Sequence, residues 1–115
     1  MNHHSSIRKF GRETDQRRAL LKSLLSSFIE KGKIKTTEAK AKEIRPLMEK
    51  MITKARVADL AVRRLLITKI GAKATKKLVE EIAVNYKDRT GGYTRITKLP
   101  VRKIDAAKMA LIEFV

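Results

Sequence analysis

Side chains suited to catalytic or metal chemistry are few in this sequence. The chain of 115 residues has no cysteine, and its only histidines, His3 and His4, are adjacent near the N-terminus. A structural or catalytic metal site needs three or four converging ligands, so these histidines fit better as partial cations near phosphate. Glu80 and Glu81 are neighbours on a predicted helix and therefore point apart. The pattern predicts no enzyme, no metal site, no cofactor and no small-molecule substrate.

The segment "RTGGYTRITKLPVRK", residues 89–103, places two of the five glycines side by side among cations. It lacks the Lys-Ser/Thr pair of a phosphate-binding P-loop, and it precedes a predicted strand rather than a helix. Two interpretations of Gly91 and Gly92 stay open at this point. The glycines shape the turn that opens a hairpin, or they let a polyanion approach bare backbone.

The charge of the chain points to a polyanionic partner. Twenty-eight Lys and Arg against twelve Asp and Glu give a net charge of +16, while 43% hydrophobic content indicates a folded chain. Such a charge indicates nucleic acid, an anionic membrane surface or a very acidic protein. Dispersed cations on a folded domain favour nucleic acid, where each neutralises a phosphate and releases counterions. These cations are Arg8, Lys9, Arg12, Arg17, Arg18, Lys22, Lys31, Lys33, Lys35, Arg63, Arg64, Arg89, Arg95, Lys98, Arg102 and Lys103.

The elements that must position these cations follow from hydrophobic periodicity. We expect a basic arm over residues 1–12, which orders on its partner, and one domain over residues 13–115. Within the domain the pattern predicts a first helix that is capped by Thr14 or Asp15 and ended by Gly32, and then a strand over 34–37. A second helix is capped by Thr36 or Thr37 and has a kink at Pro46. Helices over 59–70 and 73–86 and strands over 93–98 and 109–115 follow. The last strand is nearly all apolar, which predicts a central strand covered by helices. This order is an α+β fold, with a small three-stranded sheet packed on helices.

Three polar features are open to a functional or a structural interpretation. Ala19, Ser23 and Ser26 form a stripe of small residues, which either lies close to phosphate or is simply solvated. Lys73, Lys76 and Lys77 load the start of a helix, where the dipole disfavours cations and a nearby anion would stabilise them. Glu38, Glu43 and Glu49 have basic neighbours and are expected to form local ion pairs.

The aromatic residues indicate which nucleic acid is bound. Aromatics make up only 4% of the chain, and Phe28, Tyr86 and Phe114 fall at core positions. Only Tyr93 and Phe10 are left to stack on bases, which is too few for a single-strand platform. Recognition of shape and backbone, as in folded RNA, is therefore expected. The sequence has no run long enough to span a bilayer and no secretory signal.

The motifs "IRKFGR", "IKTTEAKAKEIRP", "VRRLL", "RTGGYTRITK" and "DAAKMALIEFV" occur in one order and spacing over the whole chain. In this the sequence resembles the family of the seventeenth protein of the bacterial large ribosomal subunit. The resemblance implies the same helix–strand–three helices–two strands fold and binding to large-subunit ribosomal RNA near the outlet of the nascent-chain tunnel. It also implies neighbouring large-subunit proteins as partners, a cytoplasmic location and no organellar transit peptide.

The resemblance further implies RNA-facing or loop-shaping roles for a set of residues. They are His3, Arg8, Lys9, Arg12, Thr36, Thr37, Lys40, Arg64, Gly91, Gly92, Tyr93, Thr94 and Arg95. The alternative function is a DNA-compacting architectural protein, for which Phe10 would be the apolar wedge in the minor groove. A metal-dependent nuclease is a third hypothesis, which predicts RNA cleavage that a chelator abolishes.

Overall fold

The computed structural model describes residues 13–57 and 59–115. Its helices are α1 (Thr14–Lys31), α2 (Glu38–Ala55), α3 (Leu60–Ile70) and α4 (Ala72–Lys77), and its strands are β1 (Lys33–Thr37), β2 (Thr94–Leu99) and β3 (Met109–Phe114). The element order and the α+β class predicted from the sequence are confirmed. The predicted arm over residues 1–12 lies outside the described residues.

Local sequence sets the helix boundaries. The Thr37 hydroxyl caps α2 by accepting from the Lys40 N–H at 3.4 Å, and an Asp59 carboxylate oxygen caps α3 by accepting from the Val62 N–H at 2.8 Å. Gly32 ends α1 in the left-handed region at φ 78°. The N-cap of α1 is Glu13, one residue before the predicted position. Helix α2 continues through Pro46, and the kink there stays a prediction.

The fourth helix differs from the regular helix predicted over 73–86. Helix α4 ends at Lys77, and the chain continues as a π-helical segment (Leu78–Ile82) and a 3-10 segment (Ala83–Tyr86). The Ala83 N–H donates to the Leu78 carbonyl five residues earlier. Leu78 and Ala83 are buried, whereas Ile82 is half-buried and packs against the core. Apolar spacing alone did not reveal the change of winding.

The sheet has the order β1-β3-β2, with both pairings antiparallel. The nearly continuous apolar sequence of β3 predicted a central strand, and this is confirmed. One row of the register joins Ile34, Ile112 and Ile96, and all three pack in the core. Helix α2 packs on all three strands, so this face of the sheet is the inner face.

Candidate nucleic-acid interface

The opposite, outer face of the sheet carries several cations. Side chains alternate across a strand, so the register places Lys33, Glu113 and Arg95 in one outer row and Lys35, Leu111 and Thr97 in the next. Lys33, Lys35, Arg95 and Thr97 are exposed. This outer face therefore presents positive charge and the Thr97 hydroxyl around the half-buried side chain of Leu111.

Arg95 is less free than its sequence position indicated. Its Nε and Nη2 both donate to Glu113 Oε1, at 3.1 and 2.8 Å. The Arg95 side chain stays 60% exposed, so it can still face a phosphate, but part of its charge is already compensated. Lys33 and Lys35 make no ion pair with any acidic residue that the structure describes.

The loop before β2 contains the two adjacent glycines, and they differ. Gly92 has φ +65°, in the left-handed region that side chains rarely adopt, so the turn itself requires glycine. Gly91 is outside that region, and an added Cβ there would meet no atom within 4 Å. Both glycines are exposed. The described fold therefore accounts for Gly92 but gives no internal reason for Gly91.

A carboxylate on α2 fixes this glycine loop. Glu49 accepts from the backbone N–H of Tyr93 at 3.1 Å, from that of Thr94 at 3.2 Å and from the Thr94 hydroxyl at 2.9 Å. The expectation that Glu49 forms a local ion pair is thus wrong, since its oxygens are used by the loop. Thr94 itself is 4% exposed, which makes it a loop-shaping residue.

Tyr93, one of the two aromatic residues that the sequence left available for stacking on bases, is not exposed. Its side chain is fully buried and packs on Tyr86 with ring centroids 5.2 Å apart. The Tyr93 hydroxyl donates to the Arg89 carbonyl at 3.1 Å and accepts from Arg56 Nη1 at 3.1 Å. Tyr93 therefore shapes the loop from inside, and its ring is not available to a base.

Two cations beside the glycine loop were missed by the sequence interpretation. Lys50 and Lys54 lie on α2, are exposed, and line an open depression together with Thr53, Gly91 and Gly92. Their i, i+4 spacing places them on one side of α2. No local signal in the sequence links α2 to a loop about forty residues later, so apolar spacing predicts the buried face of this helix but not what its exposed face adjoins.

The remaining predicted residues are spread over the molecule. Arg18, Lys22, Arg64, Arg89, Lys98 and Arg102 are exposed, whereas Arg17, Arg63 and Lys40 are half-buried. Thr36 lies on the inner face of the sheet opposite Ala110, and the Thr37 hydroxyl is used as the α2 cap, so neither hydroxyl points freely outward. His3, His4, Arg8, Lys9 and Arg12 lie outside the described residues.

Intramolecular partners account for other features that suggested an external anion. Lys77 Nζ donates to the Glu30 carbonyl at 2.7 Å, and Lys73 lies 3.7 Å from a Glu30 carboxylate oxygen. The C-terminal end of α1 therefore supplies the negative charge expected near the start of α4. The Ser26 hydroxyl donates to the Ile70 carbonyl at 2.8 Å, so it joins α1 to α3 and is not free for phosphate.

Two ion pairs lower carboxyl pKa values on the surface. Arg102 Nε and Nη2 each donate to one oxygen of Asp105, at 2.9 and 2.7 Å. This pairing lowers the pKa of Asp105 to about 2. Lys42 lies 2.7 Å from Glu38, as the local-pair prediction expected, and its hydrogen bond lowers the pKa of Glu38. Like Arg95, Arg102 is therefore already paired with a carboxylate of the same chain before any polyanion binds.

In residues 13–57 and 59–115 no group of three or more His, Asp or Glu side chains is arranged to hold a metal ion. No helix in this part of the chain is long and apolar enough to cross a membrane.

Comparison with known proteins assigns the family. The model of the family described as ribosomal protein L17 matches residues 20–115. The chain is 50% identical over 116 residues to the "Large ribosomal subunit protein bL17" of Campylobacter jejuni (strain 81-176), covering 100% of this chain and 99% of the relative. It is 48% identical over 120 residues to the protein of that name from Nautilia profundicola, covering 100% and 98%, and 51% identical over 109 residues to that from Thermoanaerobacter sp. (strain X514), covering 94% and 97%. The chain belongs to the ribosomal protein L17 family.

Proposed function

We propose that this chain is a structural, non-catalytic constituent of the large ribosomal subunit that binds folded ribosomal RNA through backbone contacts. Family membership supports the place in the large subunit, in the cytoplasm, with ribosomal RNA and neighbouring ribosomal proteins as partners. The position near the nascent-chain tunnel outlet rests on the resemblance of the sequence motifs.

Gly91 is the observation that carries the RNA contact. Neither its backbone angle nor its packing requires glycine, yet it lies exposed in a depression that has Lys50 and Lys54 on its walls. Exposed glycine backbone beside two cations is suited to a phosphate, because the missing Cβ lets the anion approach closely. The outer face of the sheet supplies a second basic surface through Lys33 and Lys35.

The glycine pair allows a test in which folding and binding separate. Gly91→Ala should leave stability nearly unchanged, because φ and space both permit alanine, while affinity for large-subunit ribosomal RNA falls. Gly92→Ala should lower stability by about 1 kcal/mol, because alanine is strained at positive φ. Filter binding over a salt series and urea denaturation measure the two effects. If folded Gly91→Ala keeps its affinity for ribosomal RNA, the glycine pair has no function in RNA binding beyond shaping the turn.

Cation variants test the basic surfaces in the same assay. Lys35→Ala and Lys50→Ala should each weaken binding and reduce the salt slope by roughly 0.7–0.9. Lys42→Ala is the matched control, because Lys42 is already paired with Glu38. Sedimentation of tagged chain from a lysate tests the assembly itself, since association with nucleoid DNA and absence from large subunits would support the DNA-compacting alternative instead.

A further inference from the structure

A groove runs between α1, α2 and α3, away from the sheet. Its volume is about 380 Å³, and we call it the three-helix groove. Apolar side chains form its floor: Leu21, Leu25, Leu47, Met51, Leu65 and Leu66. Leu65 is 40% exposed, and Leu21 and Leu47 are half-buried. Part of this floor therefore remains in contact with solvent, and covering it would gain hydrophobic free energy.

The rim of the three-helix groove carries one sign of charge. The charged residues that line it are all cations and all exposed: Arg18, Lys22, Lys50, Lys54 and Lys69. None of them makes an ion pair with an acidic residue in the described part of the chain. An apolar floor inside a basic rim is complementary to an amphipathic segment with acidic flanks.

The chemistry of the groove discriminates between possible occupants. A second copy of this chain carries +16, and residues 1–12 carry Arg8, Lys9 and Arg12, so both meet the rim with like charge. The RNA backbone matches the cationic rim, but its phosphate and ribose groups are polar and do not complement the aliphatic floor. A helix with apolar residues at i, i+3/i+4 and i+7 matches floor and rim together.

We propose that the three-helix groove binds an amphipathic helix with acidic flanks that belongs to another protein. This goes beyond the proposed RNA function, since it concerns the three-helix groove and a different class of partner. Lys50 and Lys54 lie between the groove and the glycine loop and line both. Leu65 and Lys69 line the groove and not the depression beside the glycine loop, so they distinguish the two surfaces.

The test uses the full chain and a labelled, stapled peptide helix of about four turns, with leucines on one face and glutamates on its flanks. Fluorescence anisotropy should show saturable binding at physiological ionic strength. A peptide of the same composition without an apolar face, and one with lysine in place of glutamate, should bind at least about tenfold more weakly. Equal binding of the three peptides would overturn the proposal.

Variants of the chain locate the binding site. Leu65→Glu should weaken acidic-peptide binding by about tenfold, and Lys69→Glu should weaken it several-fold and reduce its salt dependence. The matched controls are Ile104→Glu and Lys87→Glu, both outside the groove. The Ile104 side chain is 95% exposed. If Leu65→Glu loses stability in urea, Leu65→Ser replaces it. Unchanged peptide affinity in these groove variants would overturn the proposal.

Two further readouts separate other occupants. Affinity for large-subunit ribosomal RNA should be unchanged in Leu65→Glu and lowered in Gly91→Ala, so failure of one proposal does not imply failure of the other. If Leu65→Glu lowers the affinity for RNA but not the affinity for the acidic peptide, RNA is the occupant of the groove. Tighter peptide binding after deletion of residues 1–12 would assign it to the N-terminal segment. Either result overturns the proposed partner.

Discussion

Replacing Glu49 by alanine should destabilise the protein far more than replacement of an exposed glutamate. The carboxylate of Glu49 accepts three hydrogen bonds from the Tyr93–Thr94 segment, at 2.9 to 3.2 Å. Hydrogen bonds to a charged group contribute about 1.5–3 kcal/mol each, and an unsatisfied buried donor costs about 1–3 kcal/mol. Because Glu49 is only half-buried, water replaces part of what is lost. We expect the free energy of unfolding to fall by about 3 kcal/mol.

Urea denaturation at neutral pH measures this change as a lower midpoint with an unchanged slope. Glu49→Gln should lose about half as much, since one acceptor oxygen remains. Glu80→Ala, at an exposed position on the π-helical segment, should change stability by less than about 0.5 kcal/mol. Hydrogen exchange at the Tyr93 and Thr94 amides should accelerate in Glu49→Ala. A loss no larger than that of Glu80→Ala would refute the assignment of Glu49 as the anchor of the loop.

Three further changes test other contacts. Asp105 should titrate near pH 2 by NMR, and its pKa should return towards the ordinary value in Arg102→Ala. Because the pKa of Asp105 is lowered in the folded state, the pair stabilises the fold above about pH 4. This contribution is lost as the pH falls through about 2. A double-mutant cycle on Arg95 and Glu113 should give a coupling of about 0.5 kcal/mol that shrinks with salt, because the pair is exposed. Tyr86→Phe should cost about 1 kcal/mol in urea, since its hydroxyl donates to the carbonyl of the last residue at 2.6 Å.

Secondary structure was predictable where one local signal dominated. Asp59 and Thr37 provided caps, Gly32 ended a helix, and the apolar sequence of β3 predicted its central place in the sheet. The winding of residues 78–86 was not predictable, because a π turn follows from which side chains the core accepts and not from intrinsic propensity. Boundaries at the other elements moved by only one or two residues.

The cations of the candidate interface were visible in the sequence, but their availability was not. Whether an arginine is free depends on the acid that the fold brings beside it. Glu113 reaches Arg95 only through the β2–β3 register, and Asp105 reaches Arg102 only because the chain turns between them. Counting charges therefore predicted a polyanionic partner, which membership of a ribosomal protein family also implies, but it could not show how much of that charge is compensated within the fold.

Tyr93 and Gly91 both show that the local sequence does not reveal how the fold uses a residue. Beside glycines and cations, Tyr93 has the local sequence of a base-stacking residue, yet Glu49 and Arg56 draw its backbone and hydroxyl inward from a helix far away in the chain. Gly91 has the local sequence of a turn residue, yet the turn is made by Gly92. A residue that the fold uses is explained by its contacts. At a glycine that the fold does not need, a substitution can change binding without changing folding, which is why Gly91 and not Tyr93 is the residue that tests the RNA proposal.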